Sequence, residues 1–287
     1  MMRLLRSLKA NKRLINDFVR RDLKARYVGS SMGFFWSVVF PIINLFVYMF
    51  VFRLVLHARF SDKQGPTEVA LLMLAGIIIW SAFAESLSRT TNSLIENSNL
   101  IQKVVFPAEI LPVYLVCSSL VNMCIGLPVL LVGVFWFGHI NPVGMELASL
   151  SDDFDPNYYP LSLGLPLVLL PLLFLLQALW TVGLGYFLST LNLFVRDVYH
   201  LVGVFTTVWM FATPIFYSAA HVEKAGFGWM LMINPMHWLI ESYRSVLCYG
   251  VWPDWTLLGS FAVAAVGMIA VGGKFFMSQK ARIPDLL

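Results

Sequence analysis

The sequence predicts an all-α integral membrane fold: six transmembrane helices, an N-terminal amphipathic interfacial helix, and short outer helices between spans five and six. Three observations lead there. Hydrophobic residues make up 59% of the 287 and charged residues only 13%, against about 25% charged in a soluble domain; mean hydropathy is +0.75. The apolar residues gather into stretches near the roughly 20 residues that cross a hydrocarbon core as a helix. The basic residues concentrate on one side of the membrane that those stretches define.

Along the chain, Leu4, Leu8, Ile15, Phe18, Val19, Leu23 and Tyr27 recur at helical period, with Arg20, Arg21, Lys24 and Arg26 largely on the other side. That pattern describes a helix lying in the membrane interface, with a solvated basic helix as the alternative. Gly29-Ser30-Ser31 follows as a small-residue hinge, so residues 1–32 form an interfacial helix and hinge. The first span, residues 33–56, carries Pro41 and Asn44, which a lipid-facing helix gains nothing from. It is too long for the apolar core of a secretory signal and lacks a small-residue cleavage site, so it is expected to stay on the protein. Further spans are expected at 69–88, 109–138, 163–190, 198–217 and 256–277. Residues 33–277 are then the transmembrane domain and 278–287 a cytoplasmic tail.

Orientation comes from the positive-inside rule. With the N-terminus cytoplasmic, the inner segments hold the N-terminal basic cluster, Arg89, Lys103, Arg196, Lys274, Lys280 and Arg282. The outer segments hold Arg53, Arg59, Lys63, Lys224 and Arg244. Both termini are therefore expected inside. The net charge of +4 sits beside an apolar span, which points to an anionic membrane surface and not to nucleic acid.

Several chemistries lack their signature. Gly267 to Lys274 does not have Walker A spacing, and Gly272 and Gly273 read as helix-packing residues. The five histidines are scattered with no metal-ligand spacing, so no metal site, catalytic residue or cofactor is expected in this chain. Cys117, Cys124 and Cys248 are odd in number and suit core filling better than a disulfide. No internal repeat is visible; a conduit made of so few helices is expected to be a homodimer.

Three segments can carry function. The loop 89–108 is polar at first, then apolar at Leu94, Ile95, Leu100, Ile101, Val104 and Val105, with Pro107 as a break. A short amphipathic helix with an exposed apolar edge suits docking of a soluble partner, though a plain connector reads the same. The region 218–255 is broken by Asn234-Pro235, and its helix at 236–248 is too short to span. There His237, Glu241 and Arg244 share one face, and Glu241 can pair with Arg244. The outer loop 139–162 is acidic (Asp152, Asp153, Asp155) but lacks the glycine and distal glutamate of an EF-hand, so a solvated exterior loop is favoured.

Taken together, RRDLKARYVGSSMGFFWSVVFPIINLFVYMFVF, NSLIENSNLIQKVVFPAEILP, NLFVRDVYHL and INPMHWLIESYRSVL resemble the permease subunit of type-2 ABC exporters. The resemblance is to the branch that moves lipid-linked polysaccharide: O-antigen, capsule or teichoic acid. It implies a bacterial inner-membrane protein and two such subunits around a channel. It also implies two separate ATPase subunits that bind ATP and magnesium. By position, Arg20, Arg21, Lys24, Arg26 and Gly29 belong to the interfacial hinge. Ser93, Ile95, Glu96, Asn97, Leu100, Ile101 and Lys103, with Arg196 and Asp197 of the second inner loop, match the ATPase-coupling segments. Asn234, Pro235, His237, Glu241 and Arg244 match the outer gate. A sliding polymer needs many weak contacts, which aromatic faces stacking on sugar rings supply. Trp36, Phe40, Asn44 and Tyr48 form a slowly drifting stripe, and Trp80, Phe83, Phe205 and Trp209 are further channel-lining candidates, with packing as their alternative. Two rival functions remain: a permease for a small amphiphile, and a membrane transferase using Glu85, Glu96, Glu109 or Asp197.

Overall fold

The structure is a computed structural model, and it describes residues 2–26, 28, 35–48, 50–51, 55, 66–104, 106–140 and 160–287. Among these every regular element is helical. The helices are α1 (Met2–Ala10), α2 (Lys12–Ala25), α3 (Phe35–Tyr48), α4 (Pro66–Glu96), α5 (Ser98–Lys103) and α6 (Ile110–Phe135). After them come α7 (Leu170–Phe194), α8 (Val198–Ala212), α9 (Ala219–Lys224), α10 (Gly228–Met232), α11 (Pro235–Leu247), α12 (Trp255–Gln279) and α13 (Ile283–Leu286).

Four helical stretches are long and apolar enough to cross a membrane: Thr67–Glu96, Ile110–Gly138, Leu165–Phe194 and Trp255–Leu286. The expected spans one and five are represented by α3 and α8. At 14 and 15 residues they reach only about 21–23 Å, short of a ~30 Å core. Among the described residues four helices thus reach crossing length, where six spans were expected. Gly29 and most of the acidic loop 139–162 lie outside the described residues.

Helix α4 is the axis of the bundle. From Val69 to Ala75 every side chain is buried, and Ile79, Phe83 and Leu87 continue that core. Helices α3, α6, α7, α8 and α11 all pack on it. Its length departs from expectation. The run Thr90, Thr91, Asn92, Ser93 reads as a loop, yet the helix continues to Glu96. Thr91 Oγ1 bonds the Leu87 carbonyl (2.7 Å) and Ser93 Oγ that of Thr90 (2.7 Å), so these hydroxyls are satisfied by their own helix.

Helices α7 and α12 meet backbone to backbone. A Cβ on Gly272 would lie 2.0 Å from the Gly183 carbonyl oxygen, the close approach that small residues permit in membrane helix packing. A second core gathers Leu4, Leu94, Ile101, Leu111, Tyr186, Phe276 and Ile283 at the end of the bundle that carries α1, α2 and α5. Ile283 belongs to the segment 278–287, expected as a cytoplasmic tail. It is buried: the segment folds back on the bundle because an apolar surface is there to receive it.

Candidate functional site

At the α2 end, four charges from two helices interlock. Arg26 lies 3.2 Å from Asp22 and 2.5 Å from Glu85. Arg89 pairs with Asp22 and lies 3.4 Å from Glu85. Ser118 of α6 donates to Asp22, and Arg26 reaches Ser119 at 3.4 Å. Burial works against the Asp22 charge, but the hydrogen bonds from Arg89 and Ser118 and the charges of Arg89 and Arg26 hold its carboxyl below the usual aspartate value. The amphipathic helix is therefore tied to α4 by ion pairs and to α6 by hydrogen bonds. The four basic residues expected on one polar side divide here: Arg20, Arg21 and Lys24 are exposed, while Arg26 turns inward.

Above this junction lies a cavity of about 690 Å³ between α3, α4 and α6. Trp36, Phe40 and Asn44 form its α3 wall, Ser81 and Glu85 its α4 wall, and Asn122 faces it from α6. The Trp36 and Phe40 rings are 5.4 Å apart, and Phe40 is 58% exposed. Three of the four expected stripe residues thus share one groove; the Tyr48 side chain lies outside the described residues. The groove combines aromatic and aliphatic faces with amide and hydroxyl groups and, at the junction, the charged Arg26 and Glu85, a surface that offers sugars stacking and hydrogen bonds.

The other four aromatics divide differently. Phe83 is 0% exposed and Trp80 4%. Both stand edge-on to Trp209, at ring separations of 5.4 and 5.9 Å. Both rings are buried and pack on Trp209, the packing alternative and not a channel-lining position. Trp209 is half-buried, and its Nε1 donates to Asn234 Oδ1 at 2.9 Å. Phe205 is exposed, one turn along α8.

At the opposite end, Asn234 caps α11. Its Oδ1 accepts from the Met236 and His237 amides, and Pro235 takes the first helical position, where its missing N–H costs nothing. Arg244 is buried and donates to the carbonyls of Leu72 (3.2 Å), Pro214 (2.9 Å) and Ile215 (3.0 Å), and to Glu241 (2.7 Å). It staples α11 to α4 and to the chain leaving α8. His237 is buried as well, and its Nδ1 has no hydrogen-bond partner among the described residues. The shared face expected of His237, Glu241 and Arg244 is therefore turned largely into protein.

The coupling candidates also split. Asn97 joins α5 to α4 by donating to the Ser93 carbonyl (2.8 Å). Ser93 and Leu94 at the end of α4 and Ile101 of α5 are buried, the two apolar ones within the second core. Ile95 and Leu100 are half-buried; Glu96, Asn99, Gln102, Lys103 and Val104 form the exposed edge. The expected apolar docking edge is in fact largely polar. Arg196 and Asp197 occupy the exposed turn between α7 and α8. Asn192 holds that turn by donating to the Thr91 carbonyl (3.2 Å) and accepting from the Tyr199 amide (3.2 Å).

Sequence reasoning named Glu85 and Glu109 only as transferase candidates, and missed Asp22 and the ion pairs that hold all three. The signal was a Glu85/Arg89 pair at helical spacing inside an apolar span, where charges carry a cost unless paired. Glu109 accepts from Lys280 (2.8 Å) and Ser7, with burial opposing its charge and these donors lowering its pKa. Glu85 and Glu109 are locked in separate ion pairs, Glu96 bonds Asn92, and Asp197 stands apart, so the carboxylates proposed for transferase chemistry do not converge. Among the described residues no group of His, Cys, Asp and Glu has the makings of a metal site.

Similarity to known proteins bears on the same residues. The sequence profile of the ABC-2 type transporter family matches residues 16–248, which takes in the junction, the groove, α5 and α11. The O-antigen export system permease protein RfbA of Myxococcus xanthus is 30% identical over 286 residues, 99% of either chain. The protein of the same name in Klebsiella pneumoniae is 27% identical over 274 residues, covering 96% of this chain and 95% of that one.

Proposed function

The chain belongs to the ABC-2 type transporter family, and we propose that it is the transmembrane subunit of an ATP-driven exporter that moves a lipid-linked O-antigen across the bacterial inner membrane. The observation that carries the substrate class is full-length similarity to O-antigen export permeases, supported by an open groove walled by Trp36, Phe40 and Asn44. Two copies would face each other around the conduit, each bringing α3 and the exposed apolar face of α8 (Leu201, Val204, Phe205, Val208). On this reading both termini are cytoplasmic, α3 and α8 complete the set of six spans, and α9 to α11 close the outer mouth. ATP and magnesium bind to the separate ATPase subunits.

The working cycle follows from how the helices are joined. ATP-driven closure of the ATPases presses on α5. Because Asn97 welds α5 to α4, that displacement moves α4, which forms the groove wall and holds α2 through Glu85 and Arg89. From α4 the motion passes through Trp80 and Phe83 to Trp209, and from Trp209 to the Asn234 cap of α11. Each link is a direct contact between packed groups, the kind of network through which sites exchange energy.

The test is genetic and biochemical together. Purification from native membranes should bring an ABC ATPase with the chain, and deletion should remove polysaccharide from the cell surface. A chain that purifies without an ATPase, or whose loss leaves surface polysaccharide unchanged, refutes the proposal.

A further inference from the structure

We infer that the ATPase is held at two places: on the exposed edge of α5, and in a groove that α5 builds together with residues 280–284. The inference rests on the proposed coupling role of α5. The groove has a volume of about 420 Å³; Ile101, Lys103, Val104 and Phe106 line one side, Lys280 and Ile283 the other. Its far wall is fixed in place. Ile283 is buried, and Lys280 Nζ lies 2.8 Å from the buried Glu109. Glu109 accepts from Ser7 of α1 as well, and its backbone carbonyl takes the Tyr186 hydroxyl at 2.6 Å. One carboxylate thus binds the groove wall, the chain that leaves α5, α1 and α7 into a single body.

Chemistry selects the occupant. The floor is apolar, while Lys103 and Arg282 are exposed at the rim and Lys280 is 39% exposed. An apolar side chain flanked by carboxylates fits such a site. The groove is continuous with the exposed edge of α5, and its far wall follows the end of α12 at Gln279, where Arg282 and Pro284 are exposed and a soluble subunit can reach it. A moving ATPase gripping both walls would push α4 through α5 and α12 through Lys280 in the same stroke.

Site-specific photo-crosslinking tests this in the full permease–ATPase complex in membranes. A benzophenone amino acid is placed at Asn99, Gln102 or Pro284, all exposed, with exposed Lys224 at the opposite end as control. Adducts with the ATPase are expected from 99, 102 and 284 and none from 224. Lys103→Glu should independently lower the ATPase recovered by about fivefold to tenfold at low salt, an effect that shrinks as salt is raised. Adducts from 99 without any from 284 overturn the two-point grip and leave the coupling role of α5 standing. No ATPase adduct at any position overturns both. Lipid adducts alone at 284 overturn the inference in favour of a membrane-surface contact.

Discussion

Arg244→Met removes the guanidinium of Arg244 and keeps most of the side-chain volume, so it isolates what the charge does. In the wild type this group serves three backbone carbonyls and one carboxylate. Hydrogen bonds to a charged group contribute about 1.5–3 kcal/mol each. Four would sum to more than any such group delivers, because neighbours in one network are not additive. Breaking one partner of a buried ionic cluster typically costs about 3–5 kcal/mol, and roughly 5 kcal/mol is the expected loss. At about 2–4 °C per kcal/mol for a chain of this size, Tm should fall by roughly 10–20 °C. The assay is thermal unfolding of the purified permease–ATPase complex, followed by loss of the intact complex on size-exclusion chromatography. Glu241→Gln, which spares the three carbonyl bonds, should cost far less. If Arg244→Met unfolds within about 2 °C of the wild type while export falls, the charge works as a gate element and not as a staple, and the reasoning here is refuted.

Other perturbations separate packing from transport. Phe83→Ala should cost about 3–5 kcal/mol of stability as a buried ring lost from a core. Phe40→Ala, at an exposed groove position, should leave assembly intact and reduce export; equal stability losses in the two variants would contradict the division between them. Gly272→Leu should prevent α7 and α12 from packing, visible as loss of folded protein from membranes. Asp22→Asn should loosen α2 from α4, read as faster hydrogen exchange in α2. The Asp22 carboxyl is held below its ordinary 3.8, so its stabilising contribution is complete above that value and is lost as the pH falls through the lower folded one. Exchange in α2 should therefore be flat from about pH 8 to about 5, once corrected for intrinsic rates, and rise only in stronger acid.

What could be read from the chain beforehand follows the range of the forces involved. The start of α11 was legible because Asn234-Pro235 acts locally: the amide caps the two following N–H groups and the proline occupies the first turn. The tight packing at Gly272 was legible for the same reason. The end of α4 was misread, since a polar run looks like a loop until its hydroxyls are seen bonding back to their own helix. The junction was legible only in its local half, the Glu85/Arg89 pair: Asp22 and Arg89 lie 67 residues apart, and nothing in either neighbourhood announces the other. Aromatic residues were hardest, because a ring that stacks on sugar and a ring that fills a core have the same hydropathy. Only their burial divides Phe40 from Phe83.

The most direct test of the groove as the polymer's path is to catch the polymer in it. With a photo-reactive amino acid at Phe40, membranes carrying the whole exporter and a radiolabelled lipid-linked glycan should yield glycan adducts on this chain when ATP is supplied. The same probe at Val263, on the exposed surface of α12, should yield none. Adducts at Val263 with none at Phe40 would mean that the glycan passes elsewhere and that the aromatic wall of α3 is packing.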